Sequence, residues 1–253
     1  MNKKQLLINN ILNWHYSNNC THFFLYENGI NSFESDNNKE LGLKNNIRPK
    51  SSPSNPVKTN IEVRSNNLDE LKDEIASYSG CSLQKTATNL VFSDGNSKSK
   101  VMVVGEAPGE EEDKTGKPFK GKAGILLDKM LNAIGQNRNN TYITNLIFWR
   151  PPGNRNPTEE EINLCLPFVF KHIEIINPKV LILTGAISSK AILKENKGII
   201  ELRGKWQNLV ISESINIKTM PIFHPAFLLR QPSRKKEAWE DLKKIKKEID
   251  LIT

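Results

Sequence analysis

Four short, largely apolar runs, each too short for a helix, constrain this chain more than any other feature. They are Val101–Val104 before Gly105, Tyr142–Ile147, Val180–Leu183, and Met220–Phe223 before His224. Runs with so little polar alternation read as strands buried on both faces, the environment of a parallel sheet covered by helices. The segments between them carry helical spacing. Residues 122–134 place Ile125, Leu126, Met130, Leu131 and Ile134 inward, with Gly135 as the stop. Thr158 and Glu161 form a capping box ahead of Ile162, Cys165, Val169, Ile173 and Ile176, and Pro178 ends that helix. Asn67-Leu-Asp-Glu opens an earlier helix with Leu68, Leu71 and Ile75 on one face, closed by Gly80. A short helix near Ser188, a less regular stretch and a basic C-terminal helix complete the order. The alternation predicts an α/β fold, a three-layer α/β/α sandwich around a central four-stranded parallel sheet.

The sequence divides into three parts. Residues 1–33 predict a helical extension carrying Leu6, Leu7, Ile11, Leu12 and Trp14; residues 34–60 form an Asn/Ser/Lys/Pro linker too poor in apolar groups to order itself; residues 61–253 make the folded domain. Lys and Arg number 36 against 28 Asp and Glu, a formal charge of +8 that favours an acidic partner such as nucleic acid. Much of that excess, in the stretch Lys235–Lys247, also suits a solvated helix face. Cys20, Cys81 and Cys165 are widely spaced without a CxxC pair, so neither a disulfide framework nor a zinc site is expected. Asn9, Asn10 and Asn13 interrupt the N-terminal apolar run, which therefore does not read as a signal peptide. No stretch approaches the roughly 20 apolar residues that span a bilayer. These features predict a reduced, cytoplasmic monomer with no membrane contact and no obligate protein partner.

In open parallel sheets, ligands bind beyond the carboxyl ends of the strands. The residues falling there are Gly105–Asp113 (GEAPGEEED), Gly116–Gly124 (GKPFKGKAG), Thr144-Asn145 and His224-Pro225. Taken singly, each has an ordinary reading. Gly-rich turns follow strands in many nucleotide-binding proteins, although this one lacks the Lys-Ser/Thr of a P-loop. Asn145 suits a turn, His224 a loop hydrogen bond, Phe119 a core position and the acidic run a solvated loop.

Taken together, the runs GEAPG, GKPF, GKAG, YITN, RPPGNR, PTEEE and HPAFLLRQP, in this order over residues 67–253, resemble the family 4 (type 4) uracil-DNA glycosylases, and in particular their alphaproteobacterial members. That resemblance implies a monofunctional hydrolase of N-glycosyl bonds in the bacterial cytosol or nucleoid. It would flip uracil from single- or double-stranded DNA and leave an abasic site, the first step of base-excision repair. The uracil pocket implied is Glu106, Ala107, Phe119, Asn145 and His224. Phe119 is the stacking floor, Asn145 reads the O4 and N3–H edge, and the backbone amides of Glu106 and Ala107 hold the base or a water. The catalytic set implied is His224, Asn145 and Glu106, with His224 donating near O2 as the leaving group gains charge. Arg150 and Arg155 suit phosphates, Leu228 or Leu229 suits a minor-groove wedge, and Arg230 lies near the backbone. Ala107 stands where family 1 enzymes carry a water-positioning Asp and Gly109 where they carry a Tyr, leaving Glu112 or Asp113 as candidate helpers for the water.

The resemblance further implies a [4Fe-4S] cluster held by four cysteines. The matching positions here are Tyr78, Cys81, Trp149 and Cys165, so no cofactor and no metal are expected; the residual cysteines Cys81 and Cys165 become buried thiols near each other. The alternative is a catalytically weak or non-catalytic DNA-binding or polymerase-associated module of the same fold. The presence of both Asn145 and His224 weighs against it.

Overall fold

The computed structural model describes residues 61–252. The expected N-terminal helix and the linker to residue 60 lie outside the described residues. Helix α1 (Leu68–Ser77) opens as the capping pattern predicts, with Asn67 Oδ1 accepting from the Glu70 amide at 2.9 Å, and it buries Leu71 and Ile75. Strand β1 (Asp94–Gly95) precedes the four strands expected from the apolar runs: β2 (Val101–Gly105), β3 (Tyr142–Asn145), β4 (Val180–Thr184) and, after β5 (Gln207–Ser212), β6 (Ile215–Ile222). The order across the sheet is β1-β3-β2-β4-β6-β5. The inner four are parallel, as expected, while β1 and β5 add antiparallel edges.

The four-stranded expectation thus holds for the parallel centre, and the sheet has six strands in all. The stretch read as irregular contains the β5–β6 hairpin. Its signal is an alternation in which Leu209 and Ile217 point inward between exposed Asn208, Val210, Asn216 and Lys218. An edge hairpin with one wet face keeps polar residues at every second position, so it lacks the apolar run of an inner strand.

Alternate residues of the inner strands feed two separate cores. On one face Met102, Val104, Leu181 and Leu183 pack with α1, with α4 (Glu159–Ile176) through Phe168, Val169 and Ile173, and with α5 (Ala186–Leu193) through Ile192. On the other, Val103, Ile143, Ile182 and Ile222 pack with α3 (Lys122–Asn132) and with α8 (Lys235–Ile252) through Leu242, Ile245 and Ile249. This is the three-layer arrangement. Among the described residues no helix is long and apolar enough to cross a membrane.

Three further helices complete the order. The acidic run folds as α2 (Glu110–Thr115) instead of a loop. Helix α6 (Ile199–Leu202) leads into Arg203, whose guanidinium makes bonds of 2.8 and 2.6 Å to Asp241 of α8. The HPAFLLR segment, expected as a loop, forms α7 (Pro225–Arg230) with His224 as its N-cap. Pro at the first helical position already has the required φ, and its missing N–H has no intrahelical partner to lose.

Candidate active site at the carboxyl edge of the sheet

Gly105, at the end of β2, is in register with Asn145, at the end of β3, and β6 delivers His224 from the far side of β4. Between them opens a cavity of about 430 Å³ lined by Glu106, Ala107, Phe119, Asn145, His224 and Arg230. All five residues expected to form a base pocket, and one expected to meet DNA, converge here. The ladder continues past the strand ends: Leu146 and Ile147 donate to the carbonyls of Gly105 and Glu106 at 3.1 and 3.0 Å, which fixes the turn. Gly105 is required by close approach. A Cβ there would stand 2.6 Å from the Phe119 ring and inside contact distance of Asn145 Oδ1.

His224 is wired to a single role. Its Nδ1 accepts from the Ala226 amide at 3.1 Å. Burial, reinforced by Arg230 and opposed by Glu112, lowers its pKa to about 4. The imidazole is therefore neutral at pH 7, and because Nδ1 is an acceptor the proton resides on Nε2 as a donor. The ring stacks with Phe119, centroids 5.8 Å apart at 27°. Asn145 is 2% exposed, so its amide is held in a water-poor wall.

The acids after the Gly-rich turn do not act as the sequence suggested. Asp113 Oδ1 accepts from the Thr88 and Asn89 amides at 2.9 and 3.0 Å and anchors that loop. Glu112 does line the cavity, but its Oε1 takes the Lys120 and Gly121 amides at 2.7 and 2.8 Å and its Oε2 takes Gly109 at 3.0 Å. A carboxylate holding three amides is a fixed wall, with three of its roughly four acceptor sites given to the backbone. Both are thus corrected from water helpers to structural carboxylates. Burial raises the pKa of Glu106, against the pull of Arg230.

The loop at 150–156 also departs from expectation. Arg155 spends its guanidinium fork on Glu161, at 2.8 and 2.6 Å, closing the capping box of α4. Glu161 is 5% exposed, and without Arg155 it would be a buried, uncompensated charge. Arg155 thus anchors the start of α4 while its side chain remains 43% exposed. Arg150 donates to Asn154 Oδ1 at 2.7 Å, and Asn154 and Asn156 line the cavity. Sequence reading missed these two asparagines because loop asparagines have an ordinary turn role. The adjacent leucines separate cleanly: Leu228 is 1% exposed and packs in the core, whereas Leu229 is 43% exposed. Leu228 is therefore corrected from candidate wedge to core residue.

On the other face of the sheet, Tyr78, Cys81, Trp149 and Cys165 all join one hydrophobic cluster. Tyr78 packs against Phe168 with centroids 5.1 Å apart, and Trp149 meets Phe148 edge-on at 6.2 Å. Cys81 and Cys165 are buried free thiols close enough to influence each other. Their mutual interaction lowers the Cys81 pKa to about 7 and raises that of Cys165, with burial adding to the rise.

The Uracil DNA glycosylase superfamily profile matches residues 92–243. Among similar proteins, the type-4 uracil-DNA glycosylase of Saccharolobus solfataricus is 40% identical over 187 residues, 72% of this chain and 87% of that protein. The type-4 enzyme of Sulfurisphaera tokodaii is 42% identical over 184 residues, 71% and 83% of the two chains. That of Thermotoga maritima is 38% identical over 182 residues, 71% and 93%. With the strand-end cavity retained and matches of this extent, the chain belongs to the type-4 uracil-DNA glycosylase family.

Proposed function

We propose that this protein excises uracil from DNA by hydrolysing the N-glycosidic bond, with uracil bound in the cavity between Phe119, Asn145 and His224. The observation that carries the proposal is the placement of His224: partly buried in the cavity wall, with Nδ1 occupied by the Ala226 amide so that the proton of the neutral ring sits on Nε2, desolvation lowering its pKa. Cleavage moves the C1′–N1 electron pair onto the uracil ring and leaves oxocarbenium character on the sugar. A neutral N–H donor at O2 stabilises that anion without protonating the base first. Water then adds to C1′, and its proton completes the neutral products. A sugar cation needs little base assistance, so a water on the Glu106 and Ala107 amides suffices. Asn145 supplies one donor and one acceptor to the O4 and N3–H edge and mismatches the amino edge of cytosine.

On the DNA side, Leu229 is the exposed apolar group suited to fill the vacated stack, and Arg150 and Arg230 are the cations suited to phosphates. The partner is uracil-containing DNA.

The residues at the cluster positions do not fit a [4Fe-4S] group. Trp149 offers only an N–H donor, and the Tyr78 pKa is raised by burial and by the two neighbouring thiols, so its phenol stays protonated. Two thiols remain. Iron and acid-labile sulfide determination on protein purified without oxygen should find neither; stoichiometric iron and sulfide would overturn this assignment.

The function is tested by incubating the purified chain with single-uracil and all-thymine oligonucleotides, then cleaving abasic sites with alkali. Uracil-dependent breaks under multiple turnover support the proposal. Binding without breaks would replace it with the non-catalytic module.

A further inference from the structure

The Phe119 ring is held in place by a backbone that would not hold itself. Phe119 has φ 56°, the left-handed region, which is costly for an aromatic residue. Its carbonyl accepts from Arg138 Nη2 at 2.6 Å, and the carbonyl before it, of Pro118, accepts from Nη1 at 3.1 Å. The same guanidinium is tied to Asp94 Oδ2 at 2.7 Å and, through Nε, to Asp128 Oδ1 at 2.9 Å. Asp94 also meets Lys120, next to Phe119, at 2.8 Å. Burial pushes the Asp94 carboxyl up, but its bonds from Lys120 and Arg138 outweigh that and hold it below the usual carboxylate range. From the opposite side, Gly124 of α3 lies directly against Phe119; a Cβ there would fall inside contact distance of the Phe119 carbonyl oxygen.

We infer that Arg138 is a positioning residue for uracil recognition, clamping the Pro118 and Phe119 carbonyls so that the Phe119 ring is fixed as the floor of the base pocket. The inference rests on the reading of Phe119 as that floor. Arg138 does not line the cavity and touches no substrate; it acts through the shape of one turn. A guanidinium suits the task because its planar fork can serve two carbonyls and two carboxylates at once, a geometry an ammonium cannot reproduce. Relaxing the turn lets Phe119 leave the left-handed region, and the ring tilts away from the base plane it shares with His224.

The test measures single-turnover excision, and inhibition by free uracil, for the native chain, Phe119→Ala, Arg138→Met, Arg138→Lys and the double variant Phe119→Ala with Arg138→Met. Folding is followed by circular dichroism. Free uracil reports the pocket alone, and binding to all-thymine DNA reports the remaining surface. The expected result for Arg138→Met is an excision rate at least tenfold lower, a uracil inhibition constant raised by a similar factor, and unchanged affinity for all-thymine DNA. Arg138→Lys should recover only part of the loss. In the double variant Arg138→Met should cost nothing beyond Phe119→Ala, because two residues acting as one unit do not add. Full additivity, or a uracil inhibition constant within twofold of native in folded Arg138→Met, would overturn the inference. If Arg138→Met does not fold, Asp94→Asn decides the matter. It weakens the ion pair that holds the guanidinium without changing side-chain size, so it should raise the uracil inhibition constant, and an unchanged constant overturns the clamp. Native-like excision by Phe119→Ala would instead sink the reading of Phe119 itself.

Discussion

Two places in this molecule group buried polar and aromatic side chains, and they have been treated oppositely. At the carboxyl edge of the sheet, Asn145, His224 and Glu112 border a cavity, and backbone amides bond Nδ1 of His224 and both carboxylate oxygens of Glu112. On the far face, Tyr78, Cys81, Trp149 and Cys165 belong to the apolar core. The contrast is between a cavity left open to a ligand and a proposed remnant of a cluster site. Polar groups beside the first are oriented by bonds to the backbone; in the second, rings and thiols pack together in the core.

Breaking the remnant should cost stability before activity. Trp149→Ala removes a ring that is 2% exposed and should lower the unfolding free energy by about 4 kcal/mol in denaturant titration, the range for truncating a core aromatic. A loss under 1 kcal/mol would mean the ring is not packed as described. Breaking the site should do the reverse. His224→Ala should leave the unfolding midpoint within a few degrees while reducing excision a hundred- to thousandfold, about 3–4 kcal/mol of transition-state stabilisation, as for other removed donors to a developing anion.

The pH response sharpens the comparison, because one neutral histidine serves each region, His172 fully buried and His224 partly so. His172, with a pKa lowered to about 3 by burial, bonds Tyr142 Oη at 2.6 Å on the remnant side; His224 lies at about 4 in the pocket. Both are depressed below the unfolded value of about 6.5. At these two sites the unfolded chain gains protons first as pH falls, so the stability they contribute declines from pH 6.5 downward, opposed by Asp241, whose carboxyl pKa burial raises to about 6. Between pH 6.5 and 5 each histidine should contribute a loss of about 2 kcal/mol, seen in urea midpoints. His172→Gln should flatten that slope without moving the pH profile of excision, which should stay level until pH approaches the His224 value. The smallest effect expected is Leu229→Ala, a few-fold weaker turnover on duplex DNA, with little change on single strands where no stack must be refilled.

Much of this was legible in the sequence for a simple reason. Inner strands buried on both faces write continuous apolar runs, and the capping box at Thr158 and Glu161 writes a helix start, so the parallel centre and α4 could be placed. The order of the motifs identified the pocket residues. What could not be read depends on partners distant in sequence. Nothing local distinguishes Leu228 from Leu229, since which one faces inward is set by how α7 docks on α3 and α8. Arg155 and Arg138 look alike as surface cations, yet one locks a helix cap and the other a strained turn through Asp94, 44 residues away. Glu112 and Asp113 read as a solvated acidic run until the chain folds back to give them the amides of Lys120, Gly121, Thr88 and Asn89.

The most direct test of the account is the single-turnover release of free uracil from a single-uracil oligonucleotide at pH 7 by the native chain and by His224→Ala and Asn145→Ala, each confirmed as folded. The account predicts release by the native chain and at least a hundredfold slower release by both variants. Comparable release from all three proteins would contradict it.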